Sequence, residues 1–506
     1  MPRRTYNRRQ FLGYAGATFA TAAAARYGST VFPTPGLGAT PRRYSTSFTL
    51  SLKNRTEAIL PGSPTHVLKF EASMWQGGGD TSLQILPNSY LGPVIRTRTH
   101  EMIDVVVDND LDAPSVVHWH GLDNPPEVDG LPQFAVPAHS QYNAQLRIVN
   151  RAGTYWYHTH PDMITGHQAY HGLAGMIVVT DDEEQALDLP RQEFDVPLVI
   201  QDRKFDADNQ LVYAMTMPNG MLGNQVLVNG HPNYVHSGAT RVYRFRLLNG
   251  SNSRIYKLYW SHSLAMTVIG TDGGLLKAPV HKKYVTLSPG ERADVWVDFS
   301  DIPVGQEVVM RSDPFFGTGY TPTELPMGSD YEVMRVRIDR AESESLVLPS
   351  VLSDYDTYRL KDAVNRDDPR RFPISRAGTN YLLNGGLFDP NYVAPNERIV
   401  LGDLEVWEFS NPAGGSHIAH PIHVHGPQFQ VLSRTIDPSR RAGWESVRWG
   451  YTDEGWKDTV LLMPGETIRI LTRYHRYEGR SMYHCHNLEH EDMGMMRNLM
   501  VMAAGM

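Results

Sequence analysis

Leu287-Ser288-Pro289-Gly290-Glu291, with an apolar run after it, returns as Leu462-Met463-Pro464-Gly465-Glu466 with another. Val136-Pro137-Ala138, ahead of Gln145–Val149, is a fainter copy. A turn that recurs before a strand marks an internal repeat. Around it the chain keeps one rhythm of short Val/Ile/Leu/Tyr runs broken by Gly and Pro, the signature of strands and turns. The rhythm divides the sequence into an N-terminal extension (1–43), three repeated units (44–185, 186–342 and 374–506) and a polar linker (343–373). The fold expected is all-β: three β-sandwich domains with Greek-key connections.

Length agrees, because 506 residues exceed what one core usually holds. The formal charge is −8, and residues 1–26 carry five Arg without an acid, so the body of the chain is more acidic still. That balance argues against nucleic acid as a partner. No apolar run after the N-terminus reaches the ~18 residues of a membrane span. Asn7-Arg8-Arg9-Gln10-Phe11-Leu12, followed by a Gly/Ala-rich apolar run to Ala25, resembles a twin-arginine export signal. It implies a periplasmic or extracellular destination. Cys485, the single cysteine, has no partner in its own chain. A lone thiol in an oxidising compartment needs a reason, and a metal bond supplies one.

Ten of the 21 histidines fall into four clusters. They are His118-Trp119-His120, His158-Thr159-His160, His420-Pro421-Ile422-His423-Val424-His425, and His484-Cys485-His486 with His490 and Met495 following. On a strand, His-x-His places both imidazoles on one face, so a pair can serve neighbouring metal ions. The first and third units hold two such pairs each and the middle unit none. The eight rings therefore converge only where the outer units meet, with the middle unit as spacer and wedge. His420, Cys485 and His490, with Met495 as a weak axial thioether, make the ligand set of a blue electron-transfer copper. Zinc also takes Cys and His, but has no redox chemistry and no use for ten histidines. His484 and His486 point away from the face on which Cys485 lies, so three consecutive residues join the two sites.

With all four motifs present in order, the mature chain resembles the three-domain multicopper oxidases: laccases, bilirubin oxidases, spore-coat laccases and cuprous oxidases. The resemblance implies cupredoxin-like domains and four copper ions. It assigns His118 and His423 to a type 2 copper. One type 3 copper falls to His120, His158 and His486, and the other to His160, His425 and His484. His420, Cys485, His490 and Met495 take the type 1 copper. Asp129 and Glu491 match positions that relay protons to the trinuclear centre, although Asp129-Gly130 also reads as a turn.

The implied reaction passes four electrons, one at a time, from a reducing substrate to O2. Phenols or aromatic amines are the leading donors, with bilirubin and Cu(I) as alternatives. A dedicated Cu(I) oxidase fits less well, because 411–419 holds no acid and 341–380 no Met. A copper carrier or store would leave the eight clustered histidines idle. A copper nitrite reductase needs fewer His-x-His pairs. His139, His167, His171 and His417 read as surface or structural groups. Met215, Met217 and Met221 read as packing, and Met493, Met496, Met500 and Met502 as packing for the copper pocket. Trp444, Trp449 and Trp456 either wall a substrate site or anchor a loop. A monomer is expected.

Overall fold

The computed structural model describes residues 45–214, 218–319, 323–503 and 505. The Arg8-Arg9 motif, Met215 and Met217 lie outside them. Alternation builds the sheets: strand Met102–Asn109 runs half-buried and buried by turns. Ile103, Val105 and Val107 thus enter the core while Asp104 and Asp108 lie on the outer face.

Six sheets form three sandwiches. The first stacks a four-stranded sheet (Thr65–Gln76, Thr46–Glu57, Met102–Asn109, Ser140–Arg147) on a five-stranded one (Ser82–Gln84, Val94–Arg98, Ala174–Thr180, Gly153–Thr159, Val117–His118). The middle pair has seven and five strands, and the last pair six and five. Every sheet contains one parallel pairing. These join Thr46–Glu57 to Met102–Asn109 and Val94–Arg98 to Ala174–Thr180 in the first unit. In the second they join Asp195–Arg203 to Val242–Asn249 and Val235–Ala239 to Tyr331–Arg340. In the third they join Arg370–Ala377 to Glu405–Ser410 and Arg398–Val400 to Met496–Met502. Parallel neighbours cannot be a hairpin, so the chain crosses to the facing sheet between them, which is the Greek-key path. The three units are cupredoxin-like, each with a core of its own: Phe48, Val105 and Tyr157; Phe245, Trp260 and Val295; Phe372, Trp407 and Ile470.

The repeated turn works the same way twice. Gly290 and Gly465 sit at φ +87° and +79°, where a side chain is strained. Glu291 accepts the Ser288 N–H at 2.8 Å, and Glu466 that of Met463 at 2.8 Å. In the fainter copy His139 takes the left-handed position at φ 55°, and no glycine marks it. The segment before the third unit carries no strand between Arg340 and Arg370, and Leu352 is buried in the middle core.

Candidate metal centre

Strand pairing assembles the histidines in two halves. Val117–His118 pairs with Gly153–Thr159, so His118 faces His158 across the ladder. His420–Val424 pairs with Gly479–Cys485, setting His423 opposite His484 and Ile422 opposite Cys485. The first and third units then close on each other, and all eight His-x-His imidazoles meet in one buried cluster. His118 Nε2 lies 3.3 Å from His423 Nε2. His484 Nε2 lies 3.1 Å from His425 Nε2 and 3.3 Å from His160 Nε2. The His486 ring centre is 5.0 Å from that of His120 and 5.3 Å from that of His158.

The rings of His118, His120, His158, His423 and His425 are each held by one nitrogen, which leaves the other for a metal, the usual arrangement of metal-binding histidines. His118 Nδ1 contacts the Asp129 carbonyl oxygen at 2.6 Å, and His423 Nδ1 that of Asp458 at 2.8 Å. His425 Nδ1 donates to Asp129 Oδ2 at 2.7 Å, and His120 Nε2 to Asp458 Oδ1 at 2.9 Å. His158 Nδ1 meets the Thr159 carbonyl at 2.9 Å. His120 Nδ1, His158 Nε2 and both nitrogens of His486 are buried without a hydrogen-bond partner. Orphaned buried nitrogens cost free energy unless something binds them. Burial holds His118, His120, His423, His425 and His486 well below the usual imidazole range, and takes His158 to about 3 and His160 to about 4. Neutral rings with free lone pairs are what a metal ion requires.

A second site lies one residue away. Cys485 Sγ is 3.4 Å from His420 Nδ1 and 3.7 Å from His490 Nδ1. The outer nitrogens are tied off: His420 Nε2 to Ser416 Oγ at 2.7 Å, and His490 Nε2 to the Pro218 carbonyl at 2.8 Å. The Cys485 N–H donates to the Met495 carbonyl at 3.0 Å, and Met495 is fully buried in the same core. Burial pushes the Cys485 thiol up, so only a cation would keep it as thiolate. Soft thiolate with two neutral imidazoles suits copper. The residues fit that ion at both sites.

Both acids singled out in the sequence reach the histidines. Asp129 is buried, and its Oδ1 has no hydrogen-bond partner. Burial, then the neighbouring Asp123, raise its carboxyl well above the ordinary range. The turn reading of Asp129-Gly130 holds as well. Gly130 has φ +90°, and a Cβ there would lie 2.2 Å from the Val117 oxygen. Glycine lets the Asp129 backbone reach His118. Glu491 Oε2 lies 3.1 Å from His484 Nδ1, and Oε1 3.6 Å from His160 Nε2.

Three groups escaped the sequence reading. Asp458 braces His120 and His423 and is itself gripped by Arg292 of the middle unit, at 2.7 and 2.6 Å. Gly290 stands against His486, where a Cβ would lie 3.1 Å from the ring. Tyr381 packs at 5.1 Å from His420 and 4.9 Å from His490. The middle unit supplies none of the ten clustered histidines, yet does more than space the other two. Its repeated turn could have pointed to Gly290 and Arg292; nothing local marks Asp458.

Other expectations divide. Met496 packs with Leu131 and Met482 rather than around Cys485, because strand alternation turns it to the opposite face. Trp444 is an anchor, its indole donating to Glu466 at 2.7 Å. Trp456 packs on Tyr358 at 4.9 Å, and Trp449 is 67% exposed under Arg448. Arg448 lies over Trp444 as well, at 4.5 Å from the ring centre. His139 pairs with Asp112 at 3.2 Å on the surface, and His417 with Arg440 at 3.0 Å. Met221 is buried packing. Among the described residues no helix is long and apolar enough to cross a membrane.

Comparison with known proteins agrees with this geometry. Family models described as multicopper oxidase match residues 71–184 and 359–505. A laccase of Bacillus stratosphericus is 31% identical over 485 residues, covering 82% of this chain and 90% of its own. A bilirubin oxidase of Albifimbria verrucaria is 32% identical over 400 residues, covering 77% and 67%. The crystal structure of the McoA multicopper oxidase from Aquifex aeolicus superposes with a TM-score of 0.78 at 33% identity, over 91% of this chain and 96% of that one. With eight imidazoles converging beside a His2Cys set, and relatives aligned over most of its length, the chain belongs to the multicopper oxidases, copper-binding oxidoreductases.

Proposed function

We propose that the chain is a laccase-type enzyme, which takes single electrons from phenols or aromatic amines and delivers four to O2, forming two water. On this reading it holds four copper ions. His420, Cys485, His490 and Met495 hold the type 1 ion, and His118 and His423 the type 2 ion. His120, His158 and His486 hold one type 3 ion, and His160, His425 and His484 the other. The unpartnered nitrogens of His120, His158, His160 and His486, and the facing Nε2 atoms of His118 and His423, support the assignment.

The observation that carries the proposal is His484-Cys485-His486. Copper supplies one-electron chemistry at the first site and O2 reduction at the second. Cys485 belongs to one site while its two neighbours belong to the other, so electrons cross through a few covalent bonds. Ser416 and the Pro218 carbonyl orient His420 and His490. Asp129, with a raised carboxyl beside His118 and His425, holds a proton where O2 reduction consumes four. Glu491, which burial raises but His160 and His484 bring down to about 2, stands beside those rings as an ionised acceptor through which protons pass. Bilirubin or Cu(I) as donor on the same scaffold is the second reading, favoured by the bilirubin oxidase among the relatives. A carrier or store gives no use to the eight converging rings. The twin-arginine motif supports export, and a monomer suffices because every ligand lies in one chain.

Copper content and O2 uptake test this together. Four coppers per chain, with O2 consumed alongside phenols, are expected. Cys485→Ser should stay folded and lose both the thiolate-to-copper absorption band and the activity. A variant that kept the band would refute the type 1 assignment.

A further inference from the structure

Helix Leu488–Asp492 carries His490 and Glu491, and between them and Cys485 lies a third group the reaction has not used. Glu489 is fully buried. Its carboxylate meets four donors, all from residues 213–253: Tyr213 O–H at 3.0 Å, Met221 N–H at 2.9 Å, Asn252 Nδ2 at 2.7 Å and Ser253 Oγ at 2.5 Å. A carboxylate has about four lone-pair directions, so the donors fill it. No arginine or lysine takes part. A buried acid gathered in this way by neutral donors from another unit is a docking device.

What it docks is the cover of His490. The turn at 218–221 touches residues 487–490 at three points. Pro218 O accepts from His490 Nε2 at 2.8 Å, Asn219 O from Asn487 Nδ2 at 2.8 Å, and the Met221 N–H reaches Glu489. Gly220 permits the approach: at φ +88°, a Cβ there would lie 2.2 Å from Ser253 Oγ and 2.7 Å from Glu489 Oε2. The Pro218 carbonyl keeps the His490 proton on Nε2 and leaves Nδ1 for the metal. A backbone carbonyl is only as well placed as its turn, and Glu489 is the charged end of that clamp.

We propose that Glu489 is a positioning residue for the type 1 copper. It pins the 218–221 turn so that Pro218 fixes the tautomer of His490 and shuts water off its Nε2–H. The inference rests on the type 1 reading above. The contacts run from Glu489 to Met221, along the turn to Pro218, and from Pro218 to His490.

Glu489→Gln is the isosteric test, since an amide offers two acceptor sites where four donors converge. Two measurements follow. In copper-free protein, amide exchange at Met221 should rise roughly tenfold, as when one ordinary hydrogen bond is lost, while strand Val242–Asn249 stays protected. In copper-loaded protein the thiolate-to-copper band should persist, and pulsed EPR in D2O should find the His490 Nε2 proton exchanging roughly tenfold faster or more. A merely structural role would not single out that proton. Should the glutamine variant not fold, Ser253→Ala, which removes the 2.5 Å donor and leaves the acid, is held to the same two readouts with a smaller change. Wild-type protein that loads copper but shows no thiolate-to-copper band would overturn the type 1 reading and this inference with it. A normal band in wild type, with His490 proton exchange unmoved in the variant, would overturn the role of Glu489 alone.

Discussion

Arg292→Met should destabilise the copper-free protein by about 3–5 kcal/mol, the usual cost of removing one partner of a buried ion pair. All five guanidinium hydrogens are used. Nε reaches the Thr154 carbonyl at 3.0 Å, Nη1 the Gly290 carbonyl at 2.8 Å and Asp458 Oδ1 at 2.7 Å, and Nη2 the Asp272 carbonyl at 3.0 Å and Asp458 Oδ2 at 2.6 Å. Arg292, Asp272 and Asp458 have fully buried side chains. Methionine fills the volume and strands the Asp458 charge; Arg292→Lys, with three donors for five acceptors, should fall between it and wild type. Asp458→Asn added to Arg292→Met removes the stranded charge and should recover roughly 1–3 kcal/mol, a coupling that a double-mutant cycle in denaturant reads directly. Asp458 also holds His120, so copper retention in Arg292→Met should weaken about 10–100-fold, as when an outer-shell partner of a ligand is lost. A single-variant cost below about 1 kcal/mol, or effects adding within about 0.5 kcal/mol, would refute the view that Arg292 and Asp458 act as one unit.

Further outcomes follow from the same geometry. Met495→Leu should keep the blue copper and raise its reduction potential, because a weak axial donor favours the oxidised ion; an unchanged or lower potential on titration removes Met495 as axial ligand. Asp129→Asn and Glu491→Gln should retain four coppers, slow reoxidation of the reduced enzyme by O2, and leave anaerobic type 1 reduction at the wild-type rate. Reoxidation as fast as wild type would make both carboxylates structural. Burial raises the Asp195 carboxyl, but Arg246, Arg244 and Arg96 outweigh it and bring the group to about 2. A depressed carboxylate stabilises above its unfolded pKa of about 4, a contribution of about 2–3 kcal/mol that is lost as pH falls toward 2. Denaturation midpoints at pH 5 and pH 3 should therefore differ more in wild type than in Asp195→Asn; equal differences would contradict the linkage.

Much of this protein is legible in its sequence. The sandwich architecture follows from alternation and from the repeated Pro-Gly turn, both local properties of the chain. The two candidate metal sites follow from His-x-His spacing and from Cys485 between two histidines, since the period of a strand decides which rings share a face. The resemblance points to Asp129 and Glu491 as proposed relay acids, and the structure puts both beside histidines.

What the chain could not reveal by itself is which units touch, and with which atoms. Asp458 stands at an ordinary bend between strands Trp456–Lys457 and Thr459–Leu462, and its importance comes from Arg292, 166 positions away, closing on it from the middle unit. Glu489 looks like any helical acid until four donors from residues 213–253 meet it. Proximity in sequence places Met496 beside Met495, yet strand alternation sends it to Leu131. Spacing along one strand determines which side chains share a face. Contacts across units depend on how three sandwiches, each with its own core, pack together, and no local pattern in the sequence encodes that packing.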